Sequence, residues 1–510
     1  MQPRLALAFC LVLLSACDWD QFALLNSIPV HGKSGGNKTV RVYLGLDGLS
    51  YATVSDVIAM RPEVYQGFSG GDWRRAHFVA MFPATSDASW SRILHSERMG
   101  GYEYEFYDPT QDTIVNKGYL GLVNHGIPPV EGTTFHTPTY YTAFDYYANG
   151  YLDTVWTYQT TELSFADSLD SLFFLLAQKS EFEPVFTAYI PELDVMGHMQ
   201  TREMVEESFI VLWHRIAEFK RKHPERNFLF TLFSDHALDF LPASEDQLVR
   251  FDDVMRGVGI TPVESFDAGR RQGGMWAVPI IHTRVSYLSL HTEAALAQSV
   301  AERVSGSPTV DLAVSLGTPN LAIDPNRRYA WTTLWRGGRE LVTFGYDATT
   351  DRYFLPSGAD YTALDVPVDV SGAEFVVYDD QALFELTLLR NYPDLFHRAR
   401  TSLLSVSVRY PGQVLVSFKR PYASIGFEMP GNANAIASSG FHGGLEQLGS
   451  LGVVLTEERD LPVAIRSDNV LELFPALAEH MERRHMYLEA GEPGSSLNYD
   501  TIDLSEMIDQ

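Results

Sequence analysis

Two short stretches of the sequence contain carboxylate and imidazole side chains at spacings that suit a bound metal ion. Asp194 and His198 are four residues apart, and Asp235 and His236 are adjacent at the end of the apolar run from Asn227 to Phe233. Carboxylate oxygens and imidazole nitrogens hold zinc and similar divalent ions in proteins. This pattern predicts a metal-dependent hydrolase.

The elements that must position these side chains follow from the hydrophobic pattern. Apolar, β-branched runs alternate with segments of helical spacing, of which Arg202 to Lys222 is the clearest. Strands that alternate with helices predict an α/β fold, with a doubly wound, mostly parallel sheet and helices on both faces. The expected strands are Val40 to Leu46, His77 to Phe82, Pro184 to Ile190 and Asn227 to Phe233.

Polar residues follow each of these four strands. Asp47 follows the first, Ser86 the second after a short turn, Asp194 the third, and Asp235 with His236 the fourth. In a doubly wound sheet, ligands bind at the carboxyl ends of the strands. We therefore expect these side chains to share one rim of the sheet.

The middle of the chain differs in its pattern, and we expect it to form an inserted α+β cap. The predicted cap spans residues 246–430, so that the catalytic core consists of residues 39–245 and 431–510. Within and after the cap, Gln413 to Phe418 and Leu451 to Leu455 are expected to return to the core sheet.

The N-terminus has the features of an export signal. Leu5 to Leu14 is apolar but too short to span a bilayer, which is typical of a signal peptide. The ending Leu-Ser-Ala-Cys resembles a bacterial lipobox, which implies cleavage after residues 1–16 and a lipid on Cys17; an ordinary signal peptide is the alternative. Residues 17–38 would be a tether. We expect an exported bacterial lipoprotein, membrane-anchored on the periplasmic or cell-surface side.

Composition limits the partners. The formal net charge of −27 repels polyanions, so a nucleic-acid polymer is excluded as a partner. A small anionic substrate remains compatible if bound cations invert the local potential. Cys10 and Cys17 are the only cysteines, so no disulfide framework is expected in the folded body.

Five motifs in sequence resemble those of the type I phosphodiesterase and nucleotide pyrophosphatase family of the alkaline phosphatase superfamily. They frame most of the predicted mature chain and are Leu46-Asp47-Gly48, Phe82 to Trp90, Asp194 to His198, Asp235-His236 and Phe441-His442-Gly443-Gly444. The resemblance implies an alkaline-phosphatase-like form of the doubly wound sheet. It also implies hydrolysis of a phosphoric ester or anhydride.

The resemblance implies a site with two divalent metal ions, usually zinc. One ion would be held by Asp47, Asp235 and His236 with the oxygen of Ser86; the other would be held by Asp194, His198 and His442. Coordination favours the alkoxide of a serine, which is otherwise a weak nucleophile. The implied course is attack by Ser86 on a small phosphate ester, with a phosphoseryl intermediate.

The nucleophile is one of two adjacent hydroxyls. In the family, the nucleophile lies four residues before the Trp of a pattern that consists of a small residue, Trp, and Ser or Thr. Ser89-Trp90-Ser91 matches this pattern and selects Ser86, with Thr85 as the runner-up. Either could also cap the predicted helix Asp87 to His95. A helix N-terminus favours a bound phosphate, so the two roles are compatible.

The sequence departs from the family pattern after this helix. Family members have a Gly near position 96 and then an Asn that contacts the phosphoryl oxygen, whereas here Ser96 is followed by the aromatic and acidic stretch from Tyr102 to Tyr107. Asn116 and Asn124 are the candidate substitutes for binding substrate. The long segment before His442 is expected to set the substrate.

The sequence supports other classes of protein less well. Gly67-Phe68-Ser69-Gly70-Gly71 matches a nucleophile elbow, but that motif must follow a strand, and a helix is predicted before it. A sulfatase would need Cys or Ser followed by x-Pro-x-Arg, which Ser86 lacks. A phosphomonoesterase using the same site and a non-catalytic surface lipoprotein of the same fold remain alternatives.

Overall fold

The structure is a computed structural model. It describes residues 39–62, 73–115, 139–147, 160–240, 247–282, 284–320, 324, 328–370, 374–406, 408–424 and 440–489. The strands are β1 (Thr39–Leu46), β2 (Arg74–Val79), β3 (Phe106–Asp108), β4 (Thr113–Val115), β5 (Tyr146–Tyr147), β6 (Val185–Ile190), β7 (Asn227–Phe233), β8 (Leu248–Val249), β9 (Thr261–Pro262), β10 (Trp276–Ile280), β11 (Tyr287–His291), β12 (Val310–Leu316), β13 (Ala330–Arg336), β14 (Arg339–Asp347), β15 (Arg352–Pro356), β16 (Phe375–Asp379), β17 (Val414–Phe418), β18 (Ala423–Ser424), β19 (Leu451–Thr456) and β20 (Ala464–Arg466). The α-helices are α1 (Tyr51–Met60), α2 (Ser86–Ile93), α3 (Thr161–Lys179), α4 (Glu192–Met199), α5 (Arg202–Lys222), α6 (Phe251–Arg256), α7 (Phe266–Gln272), α8 (Ala294–Ser305), α9 (Asp380–Thr387), α10 (Leu395–Ser402), α11 (Gln447–Ser450), α12 (Val470–Leu473) and α13 (Pro475–Glu489).

Seven strands form the sheet on which the candidate site lies. Their order is β20-β2-β19-β7-β1-β6-β5. β1 pairs in parallel with both β6 and β7, and only β19 runs against its neighbours in this sheet. The predicted mostly parallel α/β sheet is confirmed.

Helices cover both faces of this sheet because its strands are apolar on both sides. Val42 and Leu44 of β1 belong to a core cluster that includes residues of α1, α3 and α5, whereas Tyr43 between them packs into a cluster with α2 and α13. Burial of each such side chain contributes about 1.5–3 kcal/mol. α5 has the predicted bounds, and Thr201 caps its first turn by accepting a hydrogen bond from Met204 N.

A second sheet of nine strands has the order β16-β15-β14-β13-β12-β17-β11-β10-β9. β17 lies in its interior, paired antiparallel with β11 and β12. The prediction that Gln413 to Phe418 returns to the core sheet is therefore wrong, because a buried apolar run identifies a central strand but not its partners. Leu451 to Leu455 does rejoin the core sheet, as β19.

The nine-stranded sheet packs directly against the segment that leads into α2. Phe82 and Ala88 share a core cluster with Tyr287 of β11 and Leu415 of β17. The buried guanidinium of Arg398, in α10, donates to a backbone carbonyl before α2, at 3.3 Å to Met81, and to two carbonyls after His442, at 3.2 Å to Gly444 and 2.9 Å to Leu445. The domain boundaries named above stay predictions.

The helix α2 packs on β1 through the ring of Trp90, which lies directly against Gly45. A Cβ at Gly45 would come within 2.6 Å of the Trp90 ring, which is fully buried. Glycine in this strand therefore lets α2 approach the sheet closely. None of the described helices has the length and apolar character to cross a membrane.

A buried ionic cluster fastens α13 to the edge of the seven-stranded sheet. Asp145 accepts hydrogen bonds from Lys179 at 3.1 Å, from the backbone N of Thr187 at 2.9 Å, and from Arg484. Burial alone would raise the pKa of Asp145, but Arg484, His480 and Lys179 outweigh burial and lower the pKa. The carboxylate thus stays charged in the folded chain.

We expect Asp145→Asn to lower the free energy of unfolding by about 3–5 kcal/mol at pH 7, because it leaves two buried cations without their counter-charge. The folded-state pKa of Asp145 lies below its unfolded value, so this contribution is present above about pH 4 and is lost at lower pH. Urea unfolding at several pH values measures it. Asp460→Asn is the control, since Asp460 is exposed in its pair with Arg74; equal destabilisation by both variants would contradict the assignment.

Candidate metal and phosphoryl site

The seven-stranded sheet brings the predicted side chains to one edge. Asp47 follows β1, Asp235 and His236 follow β7, and Asp194 lies in α4 directly after β6. These three strands are parallel neighbours, so their carboxyl ends coincide. Ser86 reaches the same edge as the first residue of α2.

Ser86 lies within a first group of carboxylate and imidazole side chains. Ser86 Oγ is 3.1 Å from Asp47 Oδ1 and 3.3 Å from His236 Nε2. His236 Nε2 is in turn 3.2 Å from Asp47 Oδ1 and 3.5 Å from Asp235 Oδ2. The structure thus brings together the four side chains assigned above to one ion.

A second group adjoins the first. His198 Nε2 is 3.3 Å from Asp194 Oδ2, and the ring of His442 stacks on that of His236 with centroids 4.1 Å apart. The donor atoms that come within 4.8 Å of one another here belong to Asp194, His236 and His442, so His236 borders both groups. His198 is joined to this group through Asp194, and the division of ligands between two ions stays a prediction.

Backbone carbonyls orient all three imidazole rings. Nδ1 lies 2.9 Å from Gly440 O in His198, 2.6 Å from Ala84 O in His442 and 3.3 Å from Ala237 O in His236. Because a carbonyl oxygen only accepts, each Nδ1 donates its proton to it, and each Nε2 is turned toward the carboxylates. Metal-binding histidines are commonly oriented by such a hydrogen bond from the nitrogen that does not bind the metal.

The electrostatics show an excess of buried negative charge. Burial and the charge of Asp47 raise the pKa of Asp235 well above its usual range. Burial would lower the pKa of His236, but Asp235, Asp47 and Asp194 outweigh it and raise that pKa to about 10. A positive charge placed among these carboxylates would therefore be stabilised.

The donor set fits a divalent cation. Asp194 Oδ1 and Asp235 Oδ2 are buried without a hydrogen-bond partner in the described part of the chain, an arrangement that is costly unless another group satisfies them. Carboxylate and imidazole donors without thiolate suit zinc and also manganese or iron. The residues present therefore match the group that the sequence predicted.

The two adjacent hydroxyls have different environments. Thr85 Oγ1 is fully buried and donates to Tyr102 O at 2.6 Å, away from the carboxylates. Ser86 Oγ instead contacts Asp47 and His236. Of the two hydroxyls, only that of Ser86 contacts the carboxylate and imidazole groups of the site.

Several predicted residues lie outside the described part of the chain. They are the lipidation residue Cys17, the candidate substrate residues Asn116 and Asn124, and the Gly67 to Gly71 motif.

The structure also places at the site residues for which the sequence gave little signal. The Tyr189 hydroxyl donates to Asp47 Oδ2, and the Tyr140 hydroxyl donates to Asp87 Oδ1 at 3.0 Å. Glu103 pairs with His282 beside the two groups. Alternation along β6 places Tyr189 on the α2 face, but no sequence pattern indicated the pairing of Glu103 with His282.

Comparisons with known proteins do not assign a family. No family model matches the chain, and no curated protein matches it. Among solved structures, murine ectonucleotide pyrophosphatase/phosphodiesterase 5, in an inactive form in complex with AMP, covers 86% of this chain and 95% of its own at 10% identity and a TM-score of 0.46. The human protein of that name gives the same coverage and identity with a TM-score of 0.44. These values are too low to transfer an activity or a ligand.

We expect the purified chain to bind a divalent cation and Asp235→Asn to weaken that binding by at least about 100-fold, because Asp235 Oδ2 is a buried oxygen without a hydrogen-bond partner among the described residues. Calorimetric titration of metal-stripped protein with Zn²⁺ measures the affinity. Asp324→Asn is the matched control, a buried carboxylate bonded to Arg328 N and Trp331 Nε1. Unchanged binding by Asp235→Asn would refute the site.

Proposed function

We propose that the protein is a metal-dependent phosphohydrolase of the phosphodiesterase and nucleotide pyrophosphatase type, with Ser86 as the nucleophile. The observation that carries the proposal is the position of Ser86 Oγ, 3.1 Å from Asp47 and 3.3 Å from His236, at the edge where buried carboxylates and imidazoles converge. The order of the five motifs along the chain supports it independently.

Asp47, Asp235 and His236 would hold one ion, and Asp194, His198 and His442 would hold a second, with zinc the expected metal. Such ions would lower the pKa of a bound hydroxyl and offset the negative charge of phosphoryl oxygens. The chain itself orients the nucleophile. Ser86 is the first residue of α2, whose leading N–H groups have no intrahelical acceptor and favour a phosphoryl group beside Ser86 Oγ.

Tyr189 contributes by fixing the first group. Its hydroxyl donates to Asp47 Oδ2, so the other oxygen of Asp47 is directed at Ser86 Oγ and His236. The ring is held in turn among aromatic side chains, with Trp90 of α2 at 5.2 Å between centroids. Nucleophile, strand and helix thus form one packed unit, which favours a fixed attack geometry.

The charge around Ser86 favours a phosphodiester over a phosphomonoester. Asp87, the residue after Ser86, adds a buried carboxyl group to those of the donor set. A diester carries one negative charge at phosphorus, whereas a monoester carries two. The acidic side chains around Ser86 therefore repel a diester less than a monoester.

We expect Ser86→Ala to lower kcat for bis(p-nitrophenyl) phosphate by on the order of 10⁴-fold or more in the Zn²⁺-loaded protein, because the attacking oxygen is removed. Release of p-nitrophenolate measures the rate. Ser91→Ala is the control, since Ser91 is a buried serine on the same helix. Comparable rates for wild type and Ser86→Ala would remove Ser86 from the mechanism.

We also propose that the protein is an exported lipoprotein anchored through Cys17. The apolar run before the Leu-Ser-Ala-Cys ending supports this, as stated above. In a bacterial host supplied with labelled palmitate, the wild-type chain should take up label and sediment with membranes, whereas Cys17→Ser should do neither. Label on Cys17→Ser would overturn the assignment.

A further inference from the structure

Glu103 is tied to the loop that carries the nucleophile. The residue before it, Tyr102, accepts a hydrogen bond through its backbone carbonyl from Thr85 Oγ1 at 2.6 Å, and Thr85 directly precedes Ser86. The ring of Tyr102 packs in the same core cluster as Phe82 and Ala88, on either side of Ser86. Movement of Glu103 relative to Ser86 is therefore restricted.

The carboxyl group of Glu103 is held from the opposite side by the segment that supports His442. His282 Nδ1 lies 3.1 Å from Glu103 Oε2, and the Tyr287 hydroxyl donates to Oε1 at 3.4 Å. This segment is bonded to the His442 loop, since Ser286 N donates to His442 O at 2.6 Å. Both oxygens of Glu103 are thus fixed between the loops of Ser86 and His442.

The environment of this carboxyl favours its protonated form. The Glu103 side chain is 18% exposed and that of His282 is 3% exposed. Burial raises the pKa of Glu103 well above its usual range, and the charges of Asp87 and Asp194 raise it further. A carboxyl group of this kind, close to reacting groups, is suited to general acid catalysis.

We propose that Glu103, held by His282 and Tyr287, protonates the oxygen that leaves phosphorus, and that the enzyme is thereby suited to esters of ordinary alcohols. This inference rests on the proposed function. The alkoxide of an ordinary alcohol is a much stronger base than p-nitrophenolate, so its departure depends on a proton donor, whereas p-nitrophenolate leaves without one.

The proposed reaction has two steps, which are the formation and the hydrolysis of a phosphoserine. Ser86 reacts as the alkoxide: its oxygen forms a bond to phosphorus, the bond from phosphorus to the leaving oxygen breaks with its electron pair on that oxygen, and the Glu103 proton completes the alcohol. Water then attacks the phosphoserine and gives a proton to the Glu103 carboxylate. The Ser86 oxygen departs with the electron pair of its bond, which restores both groups.

The test compares leaving groups. In the Zn²⁺-loaded full chain, we expect Glu103→Gln to lower kcat/KM for methyl phenyl phosphate by about 100-fold or more and to change that for methyl p-nitrophenyl phosphate by less than about 3-fold. Glu446→Gln is the matched control. Glu446 is another carboxyl beside the His442 loop whose pKa is raised, to about 7, mainly by burial, and its variant should affect both esters equally.

Zn²⁺ content measured alongside the rates shows whether Glu103→Gln keeps the site intact. Suppose that wild type hydrolyses both esters. If Glu103→Gln then lowers kcat/KM for both esters by the same factor, or lowers kcat/KM for neither ester, the inference fails while the proposed function stands. If wild type hydrolyses neither, the proposed function fails and the inference with it. If Glu103→Gln does not fold, Tyr287→Phe carries the test: a loss confined to the phenyl ester supports the role of Glu103, and an equal loss on both overturns it.

Discussion

The crowding of carboxylates at one edge of the seven-stranded sheet is the constraint on which the rest of the structure depends. Asp47, Asp194 and Asp235 are buried within reach of the same histidine, His236. Two like charges 4 Å apart cost about 4 kcal/mol even at an effective dielectric constant near 20. A chain free to relax would separate them. Here the parallel register of β1, β6 and β7 fixes the position of each carboxylate at the ends of the strands. The resulting concentration of negative charge favours a positive charge at this edge.

The packing around this edge keeps the crowded groups in place. The close approach of α2 to Gly45 through Trp90 sets the position of Ser86 relative to Asp47. On the other side, Arg398 binds backbone carbonyls from both the segment before Ser86 and the loop after His442. Phe396 and Ala399 of α10 share a core cluster with residues of the nine-stranded sheet, which is therefore part of the support of the site. The same packing brings His282, which follows β10, to within 3.1 Å of the carboxyl group of Glu103.

Much of the core could be predicted because its signals are local. The apolar spacing of α5 gave its bounds, and the strands β1, β6 and β7 fall within a residue of the apolar runs. The misplacement of β17 has the opposite cause. Its five residues are buried in the interior of the second sheet, and an apolar run of that length fits the centre of either sheet. Hydrophobicity predicts that a strand is buried but not which strands it pairs with. The choice of Ser86 over Thr85 likewise rested on a motif until hydrogen bonding separated the two hydroxyls.

The sequence by itself determined which chemical groups follow the core strands, because the end of an apolar run and the residues after it are properties of a short segment. The resemblance of five sequence motifs to a known family added His442 to the candidate donor set and selected Ser86 as the candidate nucleophile. Only the tertiary structure decided that His236 borders both donor groups, that backbone carbonyls turn each Nε2 inward, and that Glu103 meets His282. These depend on contacts between residues far apart along the chain, whose geometry is set by how two sheets pack and leaves no periodic trace in the sequence.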